Sequence, residues 1–260
     1  MRAAGAIILG KTVTTEWACF DPSKTRNPWN FNHTPGGSSS GSAAALAVQM
    51  CMGTLGTQTG GSIIRPAAYC GVCGLKPTFD RLSADGLMER ICPVSSHLDH
   101  VGPLARCVDD FFDERCDAQV SSLCRQTLDD LSESVSHDRN WTLPATLPEI
   151  HQHHYRIMAV EAAQVHHEAF TSSPEKFGPK VVGLIQDGLR VSPSEYEASL
   201  AHQQQFQKDL FASVSRSRIL ALPATPAAAP RDLTTTGDAA FNSPFSYAGF
   251  PALTLPCGLT

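Results

Sequence analysis

Apolar residues in this chain fall into short blocks separated by turn residues. Ala6–Leu9 (AIIL) is a four-residue apolar run stopped by Gly10, which predicts a short buried strand. Phe20–Gly37 is rich in Pro, Asn, Ser and Gly and reads as a loop. Ser42–Met52 is alanine-rich and predicts a helix, Gly53–Thr59 a short strand, and Ile63–Tyr69 a buried helix. Helical spacing returns over Ala118–Ser134, Pro148–Phe170 and Ser194–Val214, the last with Ser194 and Glu197 placed for a capping box. Arg218–Leu222 reads as a strand closed by Pro223, Ala227–Phe245 as mostly loop, and Ala252–Leu255 as a final short strand. Short apolar strands between long helices indicate an α/β fold, a mixed β-sheet core flanked by α-helices on both faces. The 260 residues suffice for one substantial core, so 1–260 is read as a single domain, and no internal repeat is visible.

The chemistry concentrates between Pro35 and Pro77, in PGGSSSGSAAALAVQMCMGTLGTQTGGSIIRPAAYCGVCGLKP. Two serines stand in two glycine-rich turns, Ser38 after Gly36-Gly37 and Ser62 after Gly60-Gly61, 24 positions apart. Glycine permits positive φ and close backbone approach. The Thr59-Gly60-Gly61-Ser62 run can therefore aim several N–H groups at one point, as a developing oxyanion requires, and Ser62 supplies a hydroxyl to attack with. A strand–turn–helix order would present Ser62 at an exposed elbow. A serine is a poor nucleophile until a neighbour takes its proton, and Ser38 is the candidate neighbour.

These residues resemble the amidase signature family, the Ser-cisSer-Lys amidohydrolases. The resemblance begins at RAAGAIILGKTVTTEWA and runs through TRNPWNFNHTPGGSSSGSAAA, GTQTGGSIIRPAAYCGVCGLKPT and LDHVGPLAR. It returns at HHYRIMAVEAA, LALPATPAAAP and TTTGDAAFNSPFSYAGFPALTLPCGL. It implies that Ser62 is the nucleophile of an acyl-enzyme mechanism and that Ser38 follows a cis peptide bond and relays protons. It also implies that Thr59, Gly60, Gly61 and Ser62 supply the oxyanion hole. The family's base is a lysine on an upstream strand, and counting back from Ser62 places it before Met1. Lys11 and Lys76 stand in segments that do not carry it. The family also continues beyond an LPCGL-like run, and a segment of it is missing between Asp110 and Phe112. The chain is thus expected to be truncated at both ends and shortened internally. Gln58 stands where many members carry Asp.

The resemblance implies an amidase-type hydrolase cleaving a carbon–nitrogen bond in a small-molecule amide, with no cofactor. Two other readings stand beside it: the glutaminase subunit of a tRNA-dependent amidotransferase, which would need partner subunits, and a non-catalytic remnant lacking its lysine. The TTTGDAAFNSPFSYAG stretch looks more like stand-alone amidases. Self-association as a homodimer is left open.

Composition adds limits. Apolar residues make up 42% and charged residues 17%, an ordinary globular balance. Net charge is −5 with no basic stripe, which gives nucleic-acid binding no electrostatic support. No apolar run approaches a membrane span, and no signal peptide precedes the nine cysteines, so the expected setting is cytoplasmic. Cys70 and Cys73 lack a second pair for zinc and read as small buried hydrophobes.

Other side chains carry weaker signals. Arg65 lies three residues beyond Ser62, where its fork can hold a substrate carboxylate or serve the fold. The histidines His151, His153, His154, His166 and His167 invite a metal. With no carboxylate or cysteine recognised at ligand spacing, they read as a solvated helix face, and no metal is expected. Asp99 reads as structural, Ser39 and Ser40 as braces for Ser38, and Thr236, Gly237 and Asp238 as a loop beside the pocket.

Overall fold

The computed structural model describes residues 7–82, 93–105, 144–214, 220 and 222–256. Within them the class is α/β, as expected. A four-stranded sheet has the order β1-β3-β2-β4, with β1 at Thr54–Gln58, β2 at Cys73–Lys76, β3 at His100–Ala105 and β4 at Ala252–Thr254. All three pairings among the described residues are antiparallel. Gly56 stands opposite Gly102, Gly74 opposite Leu104, and Leu75 opposite Leu253.

Helix α1 (Ser40–Ala47) and helix α2 (Ile64–Cys70) cover one face of this sheet. Their small side chains allow close approach, and Ala43, Leu46, Ile63, Ala67, Cys70, Val72 and Leu104 form one buried cluster. The opposite face carries Leu55, Pro103, Leu75 and Leu253 in register, and these leucines are 40%, 38% and 53% exposed. Helix α2 ends where Gly71 takes the left-handed conformation at its C-terminus.

Three longer helices build a second core. They are α3 (Ile150–Ser172), α4 (Pro179–Arg190) and α5 (Pro193–Ser213), joined by the short α6 (Ser243–Tyr247). The middle of α3 is buried all round, from Ile157 to Ala163, because α4, α5 and α6 all pack on it. Val181, Leu184 and Ile185 of α4, with Phe206 and Leu210 of α5 and Tyr247, complete this core. Helices α3 and α4 cross at Gly188, where a Cβ would stand 2.0 Å from the Ala159 carbonyl oxygen.

The helices and strands framing the two serines lie within two residues of their expected starts, though α1 ends early at Ala47. Several expectations fail. Ile7, Ile8 and Leu9 form no strand and are exposed, since no described strand pairs with them. The capping box sits two residues earlier than expected, on Ser192 and Glu195. Ser192 has extended backbone angles and Pro193 fits the first helical position, whereas Ser194 is already inside the helix. Strands β2 and β3 and helix α4 have no counterpart among the expected elements, and α6 begins inside the stretch that reads as loop. The helix expected over 118–134 and most of the strand expected over 218–222 lie outside the described residues. No described helix is long and apolar enough to cross a membrane.

Candidate active site

The two serine turns meet. The peptide bond between Gly37 and Ser38 is cis. The Ser39 N–H donates to the Ser62 carbonyl at 3.1 Å, which ties the start of α1 to the turn before α2. The Ser38 carbonyl is heavily held. It accepts from the N–H groups of Thr15 (3.1 Å) and Ser40 (2.8 Å) and from the Thr14 hydroxyl at 2.9 Å. Ser40 Oγ also reaches it at 3.4 Å, and Ser39 Oγ donates to the Thr57 carbonyl, so both serines brace the turn as expected. The Ser38 hydroxyl is left buried with no hydrogen-bond partner among the described residues. A buried hydroxyl without a partner is costly unless a substrate, water or reacting neighbour completes it. Ser62 is 9% exposed.

The turn from Thr59 to Ser62 has all four of its carbonyls engaged. His154 Nε2 donates to the Thr59 carbonyl at 3.1 Å, and Ser246 Oγ to that of Gly60 at 2.7 Å. The Arg65 N–H donates to the Gly61 carbonyl at 2.9 Å, and Ser39 takes that of Ser62. The N–H groups of the same four residues donate to no carbonyl among the described residues. Neither Gly60 nor Gly61 has positive φ; in this pair of turns that conformation belongs to Gly36 at +80°. The need at Gly61 is room, since a Cβ there would lie 3.0 Å from Ala239.

Long-range contacts hold this turn. Gln58 Oε1 accepts from the N–H groups of Ile63 (2.8 Å) and Ile64 (2.9 Å), closing the start of α2, while its amide donates to Ser246 Oγ at 3.0 Å. Ser246 gives its own proton to Gly60, so position 58 has to supply a donor, and glutamine does. Thr59 Oγ1 donates to Asp99 at 2.6 Å, and Asp99 also accepts from Val94 and Ser95 N–H. Burial raises the Asp99 carboxyl above its ordinary value, and these bonds pull the other way. Glu161 of α3 anchors the same loop through Ser95 and His97. Its own burial opposes ionisation, yet the bonds from Ser95, Tyr196 and His97 win and its carboxyl is lowered.

His154 is fully enclosed, and burial pushes it down to about 4. It is therefore neutral near pH 7 and donates through Nε2. This corrects the reading of the histidines as a solvated face. His154 and His166 are buried and His153 is half-buried, because α3 is packed on several sides at once; His151 and His167 are exposed as expected.

Arg65 is buried, and burial lowers its guanidinium to about 10. Its Nη2 donates to the Gly37 carbonyl at 2.8 Å and to Thr236 Oγ1 at 3.1 Å, and its Nη1 to the Gly237 carbonyl at 3.0 Å. The fork thus ties the residue before Ser38 to the Thr236–Gly237 loop, while Nε stays unpartnered among the described residues. Beside that loop opens a cleft of about 340 Å³ whose walls include Phe20, Tyr155, Lys180, Leu184 and Thr236. Lys11 is exposed, and Lys76 is fully buried with its ammonium on the carbonyls of Pro77 and Phe250. Burial brings Lys76 down to about 7. Cys70 and Cys73 are buried, as expected.

The chain is similar to known proteins in sequence and in fold. The family model described as Amidase matches residues 1–113. Over 116 residues the chain is 48% identical to the A-type subunit of the glutamyl-tRNA(Gln) amidotransferase of Desulforapulum autotrophicum, a match covering 42% of this chain and 23% of that protein. The same amidotransferase subunit from Roseiflexus sp. is 30% identical over 338 aligned positions, covering 99% of this chain and 68% of its own. More aligned positions than this chain has residues means that the relative carries segments absent here. The putative amidase AmiD of Mycobacterium tuberculosis is 30% identical, covering 100% of this chain and 66% of its own. A solved amidase structure superposes with a TM-score of 0.83 at 28% identity, covering 98% of this chain and 68% of the other. A shared sequence over nearly the whole chain and a shared fold place it: the chain belongs to the amidase signature family.

Proposed function

We propose that the chain is an amidase-type hydrolase that opens a carbon–nitrogen amide bond through Ser62. The observation that carries this reading is the Thr59–Ser62 turn, whose carbonyls are clamped and whose N–H groups meet no carbonyl among the described residues, beside a cis-linked Ser38 whose buried hydroxyl has no partner among them. In this mechanism Ser62 Oγ attacks the amide carbonyl carbon and the carbonyl oxygen becomes an oxyanion. The N–H groups of Thr59, Gly60, Gly61 and Ser62 would accommodate it, each such donor worth roughly 3–4 kcal/mol in the transition state. Ser38 takes the proton from Ser62 and exchanges it with the family's base lysine, and the amine leaves protonated. Water then hydrolyses the acyl-serine. The cleft beside Thr236 is the proposed place for the rest of a small amide substrate, with Arg65 holding its Thr236–Gly237 wall in place.

The test is labelling with a fluorophosphonate serine-hydrolase probe, followed by mapping of the labelled peptide. Labelling at Ser62 that disappears in Ser62→Ala is the expected result. Labelling at another serine, or equal labelling of Ser62→Ala, overturns the assignment. A second reading, a glutaminase working within an amidotransferase, is favoured by the 48% local identity to such a protein. Glutamine hydrolysis that appears only on addition of partner subunits would select it over the stand-alone amidase.

A further inference from the structure

Away from the serines, three side chains converge at the junction of α3 and α5. Glu149 precedes α3, His153 lies one turn along it, and His202 faces them from α5. Their ligand atoms lie within 4.8 Å of one another. Glu149 Oε2 is 3.7 Å from His153 Nε2 and 3.9 Å from His202 Nε2. The two imidazoles stack with centroids 4.1 Å apart.

The surrounding hydroxyls fix both tautomers. Tyr247 gives its only hydroxyl proton to the Ser199 carbonyl at 3.0 Å, so at 3.0 Å from His202 Nδ1 it can only accept. Ser199 gives its proton to the Glu195 carbonyl at 2.9 Å, so at 3.0 Å from His153 Nδ1 it too accepts. Each Nδ1 therefore carries the hydrogen, and each Nε2 presents a bare lone pair. His202 Nε2 is buried with no hydrogen-bond partner among the described residues. Two imidazole lone pairs and a carboxylate oxygen thus lie within 4.8 Å of one another with no hydrogen between them. The gaps to Glu149 exceed hydrogen-bond length, so a proton would leave the cluster incompletely satisfied.

A metal ion fits this space. We propose that Glu149, His153 and His202 form a Zn²⁺ site that clasps the first turn of α3 to α5, with water in the fourth position. Two imidazoles and a carboxylate are a zinc donor set, with bonds of about 2.0–2.2 Å, and binding would turn the stacked rings so that both lone pairs meet the ion. Glu149 is exposed and free to make that adjustment. Tyr247 and Ser199 hold the far nitrogens of the ligating rings, the arrangement expected of metal-bound histidines. Arg156 is a nearby positive charge; its guanidinium reaches Ser199 and Glu195, on the Nδ1 side of His153.

The experiment titrates Zn²⁺ into metal-free protein by calorimetry, then repeats it with Co²⁺ to read the ligand field. One equivalent bound, a four-coordinate Co²⁺ spectrum without a thiolate charge-transfer band, and a higher melting temperature with Zn²⁺ are expected. Glu149→Gln and His202→Asn should each weaken Zn²⁺ at least tenfold. The asparagine keeps an N–H for Tyr247 while removing Nε2, and Glu149 is exposed, so both variants should fold. Tyr247→Phe should weaken binding about tenfold with unchanged stoichiometry. No binding, a thiolate band, or affinity indifferent to Glu149→Gln and His202→Asn overturns the proposal.

Discussion

A single neutral imidazole links the helical core to the serine turn. His154 donates to the Thr59 carbonyl through Nε2, and burial holds it at about 4 against an ordinary 6.5, so the bond is made by the neutral ring. His100, pushed down to about 3 by burial and by Lys76, behaves the same way. Between these limits the unfolded chain binds protons that the folded chain refuses, so stability falls as pH drops from about 6.5 toward 4. His154 alone would account for up to about 3 kcal/mol of this loss. Thermal melts across that range should show the decline, and His154→Gln, which keeps an amide donor for Thr59, should flatten part of it. At the next carbonyl, Ser246→Ala removes the clamp on Gly60. A loss of about 1 kcal/mol, or roughly fivefold to tenfold in kcat/KM on an amide substrate, is expected, with the fold retained. An unchanged kcat/KM would show that the Gly60 carbonyl needs no outside hold.

At the scale of elements, the sequence revealed what local chemistry dictates. Glycine punctuation and the alanine run placed α1, β1 and α2 and delivered both serines to their turns. Strands β2 (CGLK) and β3 (HVGPLA) escaped because Gly74, Gly102 and Pro103 break any alternation; only pairing with distant strands specifies them. Helix α4 escaped because Gly183 and Gly188 weaken its propensity, yet Gly188 is what lets α3 come close. The supports of the site were illegible for the same reason. Ser246 lies 186 positions from Gly60 and His154 lies 95 from Thr59, and one sequence carries no record of such pairings. The Glu149–His153 spacing at i, i+4 was legible, but its partner His202 stands on another helix. Two substitutions test the helices. Gly188→Ala should destabilise by about 2–4 kcal/mol in denaturant melts, since its methyl would overlap the Ala159 carbonyl. Ser192→Ala should cost about 1 kcal/mol by loss of the capping box, without changing Ser62 labelling.

Across the whole molecule, Arg65 joins parts of the chain that are 172 positions apart, and it does so beside Ser38. Lysine at this position keeps the charge but lacks the planar fork, so Arg65→Lys should lose about 2–3 kcal/mol of stability and reduce Ser62 labelling. Wild-type melting and labelling in that variant would show that the Thr236 loop is held by other means. The sheet has a different bearing on how the protein behaves in a tube. Its side away from α1 and α2 lines up Pro103 with the partly exposed Leu55, Leu75 and Leu253, a greasy plane on an otherwise acidic protein. Ammonium sulfate should therefore drive this chain onto a phenyl resin early, the dye ANS should brighten on the native state, and Leu75→Lys with Leu253→Glu should reverse both while leaving the serine turns in place.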